Sequence, residues 1–61
     1  MTIKYERIGY HRISDNSVSS TVLPERKIIE RIEELEADAD IDQIWTRDMD
    51  GNITWKSWET L

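Results

Sequence analysis

The chain is expected to be a small α+β protein: an antiparallel sheet of three or four strands with one helix packed on one face, in the order β(β)αββ. Three observations predict this. Ile28, Ile32, Leu35 and Ala39 recur at helical spacing between charged residues. The stretch before them alternates in the manner of a strand. The stretch after them carries DMDGN at 48–52 between two tryptophan-bearing runs, which is hairpin chemistry.

The first strand is placed at 2–13, TIKYERIGYHRI. Ile3 and Tyr5 alternate on one face and Ile8 and Tyr10 on the other, so a bulge or kink around Arg7–Gly9 would reconcile the two phases. Residues 14–21, SDNSVSST, are polar, with Asp15-Asn16 suited to a turn. Val18 and Val22 admit either a short second strand over 18–22 or a plain loop. The helix is placed at 24–39, with Pro24 at its first position, where a missing N–H costs nothing. Its apolar stripe faces the sheet, with Ile29 on the flank.

The hairpin is placed at 42–58. Gly51 stands where a type I turn with a G1 bulge needs a left-handed residue, and Asp48 can bond back to the turn. A Met49-Asp50-Gly51 loop sets Asp48 against Asn52, Arg47 against Ile53 and Trp45 against Trp55. One face then holds Trp45, Ile53 and Trp55, the other Ile44, Thr46, Thr54, Lys56 and Trp58. A one-residue change in loop length would move Trp55 from Trp45 to Ile44. One helix cannot cover both faces of such a sheet, so one face is either wet or meets another molecule.

The 61 residues, taken as a single domain 1–61, leave little room for a reaction cleft. There is no cysteine, and the single histidine, His11, has no nucleophile pattern near it. Two glycines make no phosphate loop. Asp48, Asp50, Asn52 and Glu59 match an EF-hand register in part, but Ile53 stands where that loop needs glycine. No enzyme activity, cofactor or metal is expected. The net charge of −5 disfavours nucleic acid and anionic membrane. No apolar run approaches a membrane span, no signal-peptide core is present, and cysteine is lacking, so a cytoplasmic location is expected.

One local rule is broken. Arg26 and Lys27 stand in the first turn of the helix, while Glu33, Glu34, Glu36 and Asp38, then Asp40 and Asp42, crowd its far end, against the helix dipole. Lys27–Glu30, Arg31–Glu34 and Arg26–Glu30 can pair along the helix. No such local partner is available to Asp38, Asp40 and Asp42. Glu30, Glu33, Glu34, Asp38, Asp40 and Asp42 are therefore the candidate partner-binding acids, with solubility as the competing explanation. Of the three tryptophans, Trp45 or Trp55 is expected in the core and Trp58 at an interface.

The favoured function is a non-enzymatic protein-binding module that inhibits or modulates a larger protein, a nucleic-acid-handling one among the options, by occupying a basic surface. In size, acidity and lack of catalytic groups the chain resembles small phage- or mobile-element-encoded inhibitors, such as anti-restriction and anti-CRISPR proteins. That resemblance rests on no motif, and it implies inhibition by occupancy. The alternatives are a homo-oligomer paired through a sheet face or edge, and a nucleic-acid-binding regulator. The last would use Lys4, Arg7 and Arg12 interleaved with Tyr5, Tyr10 and His11.

Overall fold

A computed structural model describes residues 3–58. Four strands and one helix follow in the order β1 (Tyr5–Arg12), β2 (Ser17–Pro24), α1 (Glu25–Glu36), β3 (Ile41–Arg47) and β4 (Ile53–Lys56). All neighbours are antiparallel and the sheet order is β2-β1-β3-β4, so β1 is central although it comes first in the chain. The α+β expectation holds, and residues 17–24 form a full second strand rather than a loop. Thr2, the expected start of the first strand, and Glu59 of the EF-hand register lie outside the described residues.

β1 pairs with β2 without interruption from Tyr5 opposite Pro24 to Arg12 opposite Ser17. No kink occurs at Arg7–Gly9; the register shift falls between His11 and Arg12, against β3. The two apolar phases need no bulge because they serve two faces. Ile8 and Tyr10 point toward the helix, whereas Tyr5, with Arg7, Gly9 and His11, occupies the uncovered face. Gly9 is required there. A Cβ on it would lie 2.5 Å from the Trp45 ring, which rests across the strand at that point.

The helix is shorter than 24–39. Pro24 ends β2 and serves as the N-cap in extended conformation rather than as the first helical residue. No side chain caps this end. Instead the Glu25 N–H donates to the Lys4 carbonyl at 2.8 Å, so the neighbouring strand satisfies one of the unpaired amides. At the far end the Asp38 carboxylate accepts the Asp40 N–H at 2.9 Å, and the Ile41 N–H reaches the Asp38 carbonyl at 3.1 Å. That Asx turn ends the helix at Glu36 and starts β3, leaving Ala39 exposed in the turn. Ile28 and Leu35 of α1 close on Ile8 and Ile44, flanked by Tyr10, Leu23, Ile32 and Ile41.

The hairpin turn matches its sequence. Gly51 has φ of 93°, its N–H donates to the Asp48 carbonyl, and the Asp48 carboxylate accepts the N–H groups of Asp50 and Asn52. These amide bonds, that from Asn52 first, hold the Asp48 carboxyl below the usual carboxylate range. Arg47 stands opposite Ile53 as expected, but a bulge follows at once, setting Thr46 opposite Trp55 and Trp45 opposite Lys56. Trp45 and Trp55 therefore separate onto opposite faces. Neither joins the buried cluster, whose hairpin members are Ile44 and Thr46. The Thr46 hydroxyl donates to that of Thr54 at 2.6 Å, which passes its own proton toward Glu6 at 3.3 Å.

Candidate functional site

The acidic residues divide sharply. Arg12, at the end of β1, extends its guanidinium between Asp38 and Asp40, 3.4 Å from each. Asp40 also accepts the Ser14 N–H at 2.9 Å and the Ser14 hydroxyl at 2.7 Å, while its carbonyl takes the Ile13 N–H. The Ser14 bonds, with Arg12 behind them, hold the Asp40 carboxyl below the usual carboxylate range. Asp42 meets His11 Nδ1 at 2.6 Å, and His11 Nε2 lies 2.6 Å from the Asn16 side-chain oxygen. With an oxygen acceptor at each ring nitrogen, the imidazolium is favoured and the His11 pKa is raised, chiefly by Asp42.

The expectation that Asp38, Asp40 and Asp42 lack compensation is thus corrected. Their partners come from the β1 end and the β1–β2 turn, more than twenty residues away in sequence. Their role in the fold is to pin that turn to the entry of β3. Along the helix, Arg31 donates to Glu34 at 2.8 Å as expected, whereas the Lys27–Glu30 and Arg26–Glu30 pairs do not form. Among the described residues, Glu30, Glu33 and Glu36 have no ion-pair partner.

Glu33 and Glu36 border an open groove of about 480 Å³ between α1 and the β3–β4 hairpin. Ile29, Ile32 and Trp55 supply its apolar floor and wall, and Glu6 of β1 adds a third carboxylate. Ile29 is 70% exposed and Trp55 39%, although both face the same depression. Glu30 is exposed outside the groove's lining. Sequence reasoning missed Glu6, Ile29 and Trp55 as site residues. Glu6 shares the strand phase of Ile8 and Tyr10, which was the available signal. For Trp55 the signal was the sensitivity of the hairpin to a one-residue shift, which the structure places at a bulge and not in the loop.

Trp58 is 48% exposed, on the opposite face of the sheet from this groove. Its ring stands edge-on to Trp45, centroids 6.1 Å apart, with the Lys56 ammonium 5.8 Å from its centre. The acids and Trp58 do not form one patch. The expected basic N-terminal strand also divides. Tyr5, Arg7 and His11 lie on the uncovered face, while Tyr10 and Arg12 turn toward the helix and Arg12 is engaged by two aspartates.

Comparison with protein-family models, with curated proteins and with solved structures finds no match. No helix among the described residues is long and apolar enough to cross a membrane.

Proposed function

We propose that the chain is a non-enzymatic protein-binding module whose α1–hairpin groove takes a cationic, amphipathic segment of a larger protein. An apolar side chain of that segment sits against Ile29, Ile32 and Trp55, and flanking Lys or Arg residues meet Glu6, Glu33 and Glu36. Occupying such a segment would modulate or inhibit the protein that bears it. One observation carries the reading: exposed apolar surface is ringed by Glu6, Glu33 and Glu36, which take part in none of the four ion pairs found among the described residues. Partly buried aromatic anchors with charged rims are a common interface arrangement.

The test is titration of ¹⁵N-labelled protein with a Lys/Leu amphipathic helical peptide and with its Glu/Leu counterpart. The cationic peptide should shift the Trp55 indole and the Ile28–Ile32 amides, and binding should weaken as salt rises. Trp55→Ala should lower affinity about 30-fold, the scale of a hot-spot residue at roughly 2 kcal/mol. Equal binding of both peptides, or shifts confined to other surfaces, would refute the reading.

A second reading, contact with single-stranded nucleic acid, is favoured by Arg7 standing directly opposite Arg47 on the uncovered face. Like charges so placed are unfavourable unless an anion joins them, and the Trp58 ring on the same face offers a surface for stacking a base. Retardation of a labelled oligonucleotide at low salt, lost in Arg7→Gln/Arg47→Gln, is its expected signature. No retardation at tens of micromolar would end it.

A further inference from the structure

The two edges of the sheet are managed differently. β4 has four residues, a bulge against β3 and a lysine at its end, all devices that discourage a further strand. β2 has eight residues, runs in unbroken register with β1, and has no strand on its outer edge among the described residues. Residues 16–24, NSVSSTVLP, carry no charge in a chain that is 34% charged. The uncharged run coincides with the one long edge strand. Val18 is 64% exposed and Val22 40%.

We infer that β2 pairs antiparallel with β2 of a second copy of this chain, forming a two-fold dimer with one continuous eight-stranded sheet. Self-pairing is favoured over another partner because the strand is complementary to itself. Val18, Ser20 and Val22 share the uncovered face, since they stand opposite His11, Gly9 and Arg7. A two-fold axis at Ser20 sets Val18 against the partner's Val22, Val22 against the partner's Val18, and the two Ser20 residues against each other. On the helix side the same register sets Ser19 against the partner's Thr21, and cross-strand Ser/Thr and β-branched pairs are favourable. Side-chain parity is kept, so both helices lie on one face. The proposed groove lies toward the other edge, at β3–β4, and stays open in the dimer.

A single strand pair falls short of the roughly 1,200–2,000 Å² of a standard stable interface. The association is accordingly weak, with a dissociation constant in the range of about 10 μM to 1 mM. Two copies of charge −5 repel, so added salt strengthens pairing, opposite to its effect on a cationic peptide in the groove. The test is sedimentation equilibrium of the whole chain across that range at two salt concentrations. The apparent mass should rise from 7.3 kDa toward twice that value, more at the higher salt. Ser20→Lys and Ser20→Glu place like charges on the axis and should each remain monomeric with unchanged far-UV circular dichroism. An equimolar mixture of the two should associate again, and Val22→Lys, off the axis, should also abolish pairing. A monomeric parent chain at 1 mM would overturn the inference. So would a Ser20→Lys variant that associates like the parent, or a mixture that stays monomeric.

Discussion

Glu30, Glu33 and Glu36 are followed by Asp38, Asp40 and Asp42 in one acidic run, yet the fold treats the two sets differently. The aspartates are bound by Arg12, Ser14 and His11 and join the β1–β2 turn to the start of β3. The glutamates face solvent with no ion-pair partner among the described residues, two of them beside an apolar groove. The two sets carry the same charge but sit in different backbone geometry. A helix repeats its outward face regardless of what lies elsewhere, whereas a turn entering a strand is brought against whatever the neighbouring strand ends with. Acidity alone therefore does not mark a surface as a binding site.

If that division is right, substitutions in the two sets should have separable effects. The largest is expected at Asp40→Ala, which removes the acceptor of both Ser14 bonds and half of the Arg12 bridge; the melting temperature should fall by several degrees. An unchanged melting curve would mean that the clamp is ornamental.

The pH profile of stability should be bounded on both sides. The pKa values of Asp15, Asp40 and Asp48 are depressed in the fold, so their contribution is present above the ordinary carboxylate value and lost as pH falls through their folded values. The His11 pKa is raised, so its contribution is full below the ordinary value near 6.5 and is lost as pH rises through the folded value. Denaturant melts between pH 2 and 9 should show both limbs, and His11→Ala should remove the upper one. Persistence of the upper limb in that variant would assign it to another group.

The smallest effect on stability is expected at Glu36→Lys. It replaces an acid by a base in the last helical turn, where no basic residue now stands, and should stabilise by about 0.3–1 kcal/mol. Calorimetric melting would reveal the gain, and a loss would mean that Glu36 supports the fold.

The sequence made the helix stripe, the Asp48–Gly51 turn and the sheet class readable because each depends on short-range periodicity or turn chemistry. The partners of Asp38, Asp40 and Asp42 were hidden because they depend on β1 lying between β2 and β3, a tertiary fact. The helix end was misjudged for a related reason: Ala39 continues the apolar spacing, but the Asp38 Asx turn closes the helix first. The face of Trp55 stays open in the sequence between Trp45 and Ile44, and one extra residue at the bulge reverses the sheet's alternation and decides it for the side of Ile44. Arg12 and His11 looked like members of a basic strand, and it is the acids opposite them that make them structural.

The central claim is that the glutamates, and not the aspartates, form the recognition surface. Isothermal titration calorimetry with the cationic amphipathic peptide tests it most directly, comparing Glu33→Lys/Glu36→Lys with Asp38→Asn/Asp40→Asn at a temperature where both remain folded. The glutamate pair should weaken binding at least about tenfold, equivalent to roughly 1.4 kcal/mol, and the aspartate pair less than about threefold. The reverse order, or equal losses, would contradict the account.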